Sequence, residues 1–222
     1  MHINSFLVRQ LKLSHQQIKE DINSNVVFID DKIAMQKQEI SALNTIKYKQ
    51  EILQVGKQLF YYAYHKPVGV ESTLNKEIPD NLIEATGIQD YFFPIGRLDK
   101  ASEGLMILTN DGILYKQIVD VGSDIEKIYE VEVDQEIDKE FISKMAEGIV
   151  IMGSSTKPCK VSMLSNHTFS ITLVEGRNRQ IRRMCYKLGY EVLVLKRIAI
   201  SKLSLDDLPV GHYKTILVTD II

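Results

Sequence analysis

A glycine-rich, charged loop runs directly into an apolar strand in the segment 94–112, which reads PIGRLDKASEGLMILTNDG. The apolar run 105–109 predicts a buried strand, and Asn110-Asp111-Gly112 predicts a turn where that strand ends. Loops anchored to a strand commonly hold reactive groups, so Asp99 is a candidate reactive carboxylate just outside the sheet. The residues alone leave open the alternative that Asp99 only hydrogen-bonds its own turn.

A second informative segment is 175–185, which reads EGRNRQIRRMC. Its spacing predicts a helix from about residue 178 to 188 that ends at Gly189. One face of this helix is apolar (Ile181, Met184, Cys185, Leu188), and another carries Arg179, Arg182 and Arg183. A solvated charged face is the first interpretation. Arginines near a helix N-terminus oppose the helix dipole, however, and an anion or a buried carboxylate nearby would offset this. Arginine also suits bidentate contact with carboxylate or phosphate.

A third segment, 127–133, reads KIYEVEV and alternates as a strand does. Alternation sends Lys127, Tyr129 and Val131 to one face of the sheet. Tyr129 on that face is either a stacking platform for a flat ligand or a half-buried packing residue.

The wider pattern predicts an α+β fold, because strands and helices mix without strict alternation. Strands are expected at 59–65, 105–109, 128–133, 148–152 and 169–174. A short helix is expected between Asp138 as its N-cap and Gly148 beyond its end. Before them, residues 1–58 read as two helices, the second capped by Ser14, followed by a hairpin that turns at Asp30-Asp31.

The composition is that of a soluble globular protein, with 45% apolar and 25% charged residues among 222. The longest apolar run, 59–64, is far shorter than the roughly 20 residues that a membrane span needs. The N-terminus has no secretory pattern, and two cysteines are too few for a disulfide framework or a four-cysteine metal site. These features lead us to expect a cytoplasmic protein without membrane association.

The net charge of −2 hides a strong asymmetry along the chain. Residues 175–202 contain eight Lys and Arg against two acids, a net charge of +6, whereas residues 120–147 carry a net charge of −7. Local charge decides what a surface binds, so the basic segment predicts a surface for anions.

Taken together and in this order, the motifs resemble the pseudouridine synthases that modify ribosomal RNA. They are KPVGV at 66–70, GRLD at 96–99, KIYEV at 127–131, NRQIRRMC at 178–185 and LKR at 195–197. The form of these motifs is similar to that of the small-ribosomal-subunit uridine synthase subfamily. Within this subfamily, the string at 178–185 is most similar to the members that act on large-subunit RNA. The resemblance implies a catalytic domain over 60–222 with a mixed, mostly antiparallel sheet. It also implies an alpha-L (S four-like) RNA-binding module over 1–58.

The resemblance implies roles for particular residues. Asp99 matches the catalytic aspartate that attacks a flipped-out uridine, Arg182 the arginine that pairs with it, and Tyr129 the ring stacked on the base. The remaining substrate-binding residues are expected to be Leu195, Arg97, Arg179, Arg183 and Lys127. The uracil is detached, turned and rejoined through its carbon 5, without a cofactor, a metal or an energy source. Ribosomal RNA is the expected partner, with transfer RNA left open, and the protein is expected to be a monomer.

The RNA-binding module departs from the family in its charge. Family members usually carry basic residues where this chain has Ser14-His15-Gln16-Gln17, which is neutral at pH 7. We therefore expect residues 1–58 to contribute only modestly to RNA affinity.

Two other classes of protein stay open at this level. One is a non-catalytic RNA-binding or ribosome-assembly protein that has kept the fold, although such a protein has no need of a nucleophile. The other is a carboxylate-dependent hydrolase of a small sugar, which needs a second acid that no motif supplies.

Overall fold

The structure, a computed structural model, describes residues 1–119 and 124–222. They form two compact units, Met1–Leu59 and Phe60–Ile222. Asp120, with which the acidic stretch begins, lies outside the described residues. Within the described ranges, no helix has the length and apolar character needed to cross a membrane.

The first unit is a helix pair followed by a small antiparallel sheet. Its elements are α1 (Ile3–Leu11), α2 (His15–Asn23), β1 (Val27–Ile29), β2 (Lys32–Ile33), β3 (Ile46–Tyr48) and β4 (Glu51–Gln54), with strand order β2-β1-β3-β4. Ser14 caps α2 as expected, because its Oγ accepts a hydrogen bond from the Gln17 backbone N–H. Asp30 and Asp31 form the predicted turn with φ angles of 49° and 62°, the left-handed backbone that short polar residues tolerate.

The second unit is built on one large sheet. Its first half contains β5 (Tyr61–Lys66), α3 (Leu82–Thr86), β6 (Phe93–Ile95), β7 (Glu103–Thr109), α4 (Gly112–Val119) and β8 (Lys127–Val133). Its second half contains α5 (Lys139–Glu147), β9 (Val150–Ile151), β10 (Ser154–Ser155), β11 (Lys160–Met163), β12 (Thr168–Leu173), α6 (Gln180–Lys187), β13 (Val192–Ile200), β14 (Leu203–Ser204) and β15 (Tyr213–Thr215).

The sheet confirms the predicted mixed, mostly antiparallel α+β fold. Its strand order is β11-β12-β8-β13-β7-β5-β15, with β14 beside β13 and β6 beside β7. Among the described strands of this sheet, β13 and β7 form a parallel pair and the other pairs are antiparallel. This parallel pair brings the basic C-terminal part of the chain beside the strand that follows Asp99.

Local backbone geometry sets the ends of the two helices that the sequence predicts in the second unit. Asp138 Oδ1 accepts the Phe141 backbone N–H at 2.8 Å, and Gly148 ends α5 with a φ of 97°. Helix α6 starts at Gln180, later than predicted, because Arg179 adopts a left-handed φ of 51°. Its predicted apolar face is confirmed, since Ile181, Met184 and Cys185 are buried.

Two expectations from the sequence are corrected. The expected turn at 110–112 is instead the start of α4, because Asp111 Oδ1 accepts the backbone N–H groups of Ile113 and Leu114. Leu114 and Ile118 then bury the apolar side of this helix. The strand expected at 148–152 contracts to the two residues of β9, since Met152 and Gly153 turn directly into β10 with positive φ angles.

Candidate active site

One cleft of the second unit gathers six of the eight site residues that the sequence indicates. The cleft has a volume of about 720 Å³. Asp99, Tyr129, Arg97, Leu195, Arg179 and Lys127 line it, whereas Arg182 and Arg183 do not. These residues come from the loop before β7, from β8, from β13 and from the approach to α6.

The loop that carries Asp99 is fixed on several sides by hydrogen bonds to its backbone. Ser72 Oγ donates to the Leu98 carbonyl at 2.6 Å and accepts the Leu98 N–H at 3.1 Å. The Gly69 N–H donates to the Lys100 carbonyl at 2.8 Å. With the loop held on both sides of Asp99, its carboxylate is presented to the cleft from a fixed backbone.

Lys66, the last residue of β5, anchors the same loop. The side chain is fully buried, and its Nζ donates to the carbonyls of Pro67 and Ser102, both at 2.8 Å. Burial lowers the pKa of Lys66 to about 8, although nearby carboxylates, Asp99 among them, act in the opposite direction. The motif at 66–70 therefore contributes a buried cation close to the candidate nucleophile.

The Asp99 carboxylate itself is partly exposed and forms no hydrogen bond or ion pair with another described residue. The backbone carbonyl of Asp99 does accept the Ser102 N–H at 3.0 Å, so the turn is closed by the main chain. The alternative that this side chain serves only its own turn therefore has no contact in its favour. A carboxylate held in a cleft without a protein partner is available to a ligand.

Arg182 holds the Asp99 loop, but by contacts other than the expected direct pair. Its guanidinium donates to the Ala101 carbonyl at 2.7 Å, to Ser102 Oγ at 3.3 Å and to the Val192 carbonyl at 2.9 Å. No ion pair within 4.0 Å joins it to Asp99 in the part of the chain that the structure describes. Burial and Arg179 lower the pKa of Arg182, while the charge of Asp99 raises it, so the two groups still interact electrostatically.

The floor of the cleft is one face of the sheet. Tyr129 on β8 lies directly opposite Ile171 on β12 and Arg197 on β13. Residues directly opposite on antiparallel strands share a face, so the tyrosine ring lies between an apolar and a cationic neighbour. Leu195, two residues before Arg197, lies on the same face and is 8% exposed. The partly buried Tyr129 packs on the core and also borders the cleft.

Positive charge dominates the walls of the cleft. Its cationic lining residues are Arg97, Lys127, Lys157, Arg177, Arg179 and Arg197, and its acidic ones are Asp99 and Glu175. Burial and the charge of Arg197 lower the pKa of Lys127, whose Nζ donates to the Ile125 carbonyl at 3.0 Å. A flat ligand that carries negative charge fits this combination of aromatic floor and basic walls.

The second carboxylate at the cleft is occupied by structural contacts. Glu175 Oε1 accepts from the Lys157 N–H at 3.0 Å and from Gln180 Nε2 at 2.8 Å, and Oε2 pairs with Arg177 at 3.2 Å. Glu175 therefore holds the chain segment that leads into α6. It is not the free second acid that a glycoside hydrolase requires. The described residues contain no group of three His, Cys, Asp or Glu side chains arranged to hold a metal ion.

A neighbouring cleft of about 630 Å³ contains the arginines of α6. Arg182 and Arg183 line it, and Arg179 borders both clefts. Tyr186, which also lines it, is 79% exposed. Arginines beside an exposed aromatic ring suit nucleic acid, because they contact phosphate and base together.

Sequence reasoning missed three residues of the site. Ser72 and Lys66 hold the Asp99 loop, and Arg197 lines the cleft. Lys66 and Arg197 belong to the quoted motifs but were given no role. The alternation of β13 was the available signal for Arg197, since a residue two positions after Leu195 faces the same side.

Comparisons with known proteins identify the family to which the chain belongs. The family model described as RNA pseudouridylate synthase matches residues 60–187. The chain is 38% identical over 216 residues to the dual-specificity RNA pseudouridine synthase RluF of Escherichia coli, covering 96% of this chain and 74% of that protein. It is 29% identical over 220 residues to ribosomal small subunit pseudouridine synthase A of Pseudomonas aeruginosa, covering 96% of each. A crystal structure of a pseudouridylate synthase superimposes with a TM-score of 0.68 at 28% identity, covering 99% of this chain and 97% of that one. The chain therefore belongs to the family of RNA pseudouridylate synthases, enzymes that isomerise uridine in RNA to pseudouridine.

Proposed function

We propose that this protein isomerises one specific uridine of ribosomal RNA, in the large subunit, with Asp99 as the nucleophile. The observation that carries the proposal is the Asp99 carboxylate, which has no partner among the described residues and lines the same cleft as Tyr129 and Leu195. An ionised carboxylate can form and release a covalent bond to the nucleotide. The cleft supplies the aromatic and apolar surfaces that a flipped-out base needs.

Base flipping assigns the remaining residues of the cleft. A uridine inside a helix is out of reach of any side chain, so the target nucleotide must leave its stack. Tyr129 then stacks on the uracil, and Leu195 closes the apolar side of the pocket. The exposed Arg97, beside the nucleophile, takes the space that the nucleotide vacates or holds its phosphate.

The outer arginines hold the RNA backbone: Arg179 borders both clefts, and Arg183 lies on the second. Phosphate contacts of this kind supply most of the affinity and make it depend on salt. Lys127 is on the floor of the first cleft, beside Tyr129, where it binds the flipped nucleotide. Arg182 acts differently, because its hydrogen bonds to Ala101 and Ser102 hold the loop that positions Asp99, and a third ties the same guanidinium to the Val192 carbonyl.

The first unit is proposed to be an alpha-L RNA-binding module that guides the substrate. It contains seven basic and six acidic residues up to residue 55, so its attraction for RNA is weak. The protein is proposed to act as a monomer in the cytoplasm. The E. coli relative is named a dual-specificity enzyme. Transfer RNA, which the sequence leaves open as a substrate, is therefore tested beside ribosomal RNA.

The experiment uses RNA labelled with tritium at carbon 5 of uridine. Isomerisation bonds this carbon to the sugar and releases its hydrogen to water, so released tritium counts turnovers. The purified protein is incubated separately with ribosomal RNA and transfer RNA from cells that lack the gene. We expect release from ribosomal RNA by the wild type, and loss of more than about 10⁴-fold in Asp99→Asn, because removing a nucleophile eliminates the covalent route.

Asp207→Asn is the matched control, because it removes an exposed carboxylate outside the cleft. It should retain wild-type activity, and all three proteins should bind RNA equally at fixed salt. RNA binding without tritium release by the wild type would support the non-catalytic alternative. Near wild-type release by Asp99→Asn would refute the role of Asp99.

A further inference from the structure

We infer that Arg197 is a further catalytic residue, one that hydrogen-bonds a uracil carbonyl of the flipped nucleotide and stabilises the negative charge of the detached ring. The inference rests on the proposed function and deepens it, because it assigns the group that receives the ring's charge. None of the roles proposed above uses Arg197.

Arg197 is an arginine built into the floor of the cleft. It is 2% exposed, and its Nε donates to the Leu105 carbonyl at 2.6 Å. Its Nη2 is buried and has no hydrogen-bond partner among the described residues. A buried guanidinium nitrogen without a partner is unfavourable, and a ligand oxygen in the cleft would satisfy it.

The backbone around Arg197 places its side chain beside the base platform. Arg197 lies directly opposite Tyr129 across β13 and β8, so their Cβ atoms are about 5 Å apart on one face. On its other side Arg197 pairs with Gly104 of β7, where no side chain separates it from the Asp99 loop. A uracil stacked on Tyr129 therefore presents an edge within the reach of an arginine side chain.

A cation at this place stabilises the charge that attack on the sugar would leave on the base. On the route in which Asp99 forms its bond to C1′ of the ribose, the bond from C1′ to N1 breaks and its electron pair stays on the uracil. The ring then has one negative charge, shared among N1, O2 and O4. Carbon 5 next bonds to C1′ and releases the Asp99 carboxylate, while the C5 proton passes to water and N1 takes a proton from water. A guanidinium stays protonated throughout, so it stabilises the anion without giving up a proton.

The position of Arg197 favours the uracil over a phosphate as its partner. A backbone phosphate remains near solvent, where the exposed Arg97 and Arg179 already lie. Arg197 is buried on the sheet face beside the tyrosine, where the base enters and the backbone does not.

The test combines a change in the protein with a change in the RNA. The probe is a synthetic stem–loop carrying the uridine that the protein modifies in cells, made also with 2-thiouridine or 4-thiouridine at that position. Sulfur accepts a hydrogen bond more weakly than oxygen. Single-turnover rates and RNA dissociation constants are measured for the wild type, Arg197→Met, Arg197→Lys and the charge control Lys139→Met, which alters an exposed lysine of α5.

We expect Arg197→Met to reduce the rate about 100-fold, as the loss of one oxyanion donor does, with a dissociation constant within about threefold of the wild type. One of the two thio substitutions should slow the wild type about tenfold and have less than a twofold effect on Arg197→Met, because the contact is already lost. Lys139→Met should behave as the wild type. Arg197→Lys, which keeps the charge, should be slowed less than Arg197→Met and should also lose the sensitivity to sulfur.

Independent effects of sulfur and of the Arg197 changes would overturn the inference, as would equal changes in rate and dissociation constant. If Arg197→Met does not fold, the comparison of Arg197→Lys with the wild type tests the inference. Equal slowing of both proteins by the thio substitution would refute the role of Arg197. A wild type that modifies no RNA would refute the proposed function itself. An active wild type with independent effects would refute only the role of Arg197.

Discussion

Gly104→Ala tests whether the contact between β7 and β13 builds the site. A Cβ atom at residue 104 would lie 2.3 Å from the Arg197 carbonyl oxygen, 2.5 Å from its nitrogen and 2.9 Å from its carbonyl carbon. All three atoms belong to the backbone, so no side chain can turn aside. Gly104 also has a φ of 115°, a conformation that L-residues with a Cβ rarely adopt.

The expected loss of stability in Gly104→Ala is the sum of two effects. The strained φ costs about 1 to 2 kcal/mol. The two strands must also separate by about 1 Å to restore ordinary contact, and overpacking of this kind costs about 1 to 3 kcal/mol. Gly104→Ala should therefore lower the free energy of unfolding of the second unit by about 2 to 5 kcal/mol. The shift of β13 moves Arg197 and Leu195 in the cleft, so we expect at least a tenfold loss of isomerisation, about 1.4 kcal/mol of barrier.

The assay is urea unfolding of the full chain together with tritium release from its RNA substrate. Gly112→Ala is the matched control, because no atom lies within 4 Å of its would-be Cβ and its φ is not positive. It begins α4, where alanine should stabilise by zero to about 1 kcal/mol. A Gly104→Ala protein within about 0.5 kcal/mol of the wild type, with full activity, would refute this account of the strand contact.

Three further predictions concern the loop anchors and the first unit. Lys66 should contribute roughly 2 kcal/mol of stability between pH 7 and 9.5, because folded Lys66 releases its proton near pH 8 and the unfolded chain only near 10.4. Burial raises the pKa of the Cys159 and Cys185 thiols to about 11 and about 12, which lowers stability above about pH 8.5, and the raised pKa values of Tyr61 and Tyr64 lower it above about pH 10. These groups are the same in Lys66→Met, so urea titrations across pH 7 to 9.5 should show the wild type gaining roughly 2 kcal/mol relative to Lys66→Met; equal slopes would contradict this. Arg182→Met should lower the unfolding free energy by roughly 2 to 4 kcal/mol, since three hydrogen bonds are lost, two of them part-buried. Arg182→Lys should recover less than half of this loss, whereas full recovery would show that charge alone suffices. Deleting residues 1–58 should raise the RNA dissociation constant less than about tenfold at fixed salt, and a loss of several orders of magnitude would show that the module dominates binding.

Local signals in the sequence predicted the parts of the fold that depend on neighbouring residues. Helix α5 was predicted well because its ends are set locally, by the Asp138 side chain that accepts the Phe141 N–H and by the positive φ of Gly148. The start of α4 was not predicted, because the string at 110–112 is typical both of a turn and of a helix N-cap. Burial of Leu114 and Ile118 against the sheet decides between them, and that burial is a tertiary property.

The site residues divide likewise into those that local sequence patterns predict and those that depend on tertiary contacts. Alternation along β8 predicted the face shared by Lys127 and Tyr129, which the structure places in one cleft. The partners of Arg182 were beyond prediction, since Ala101 lies 81 residues earlier in the chain. The burial of Arg197 depends on the parallel pairing of two distant strands and on a glycine that allows it.

The most direct test of the central claim is a map of pseudouridines in cellular RNA. The map is compared among cells with the gene, cells without it, and deleted cells supplied with the wild type or with Asp99→Asn. We expect a single ribosomal uridine to lose its modification on deletion, to regain it with the wild type and to stay unmodified with Asp99→Asn. An unchanged map after deletion, or restoration of the site by Asp99→Asn, would contradict this claim.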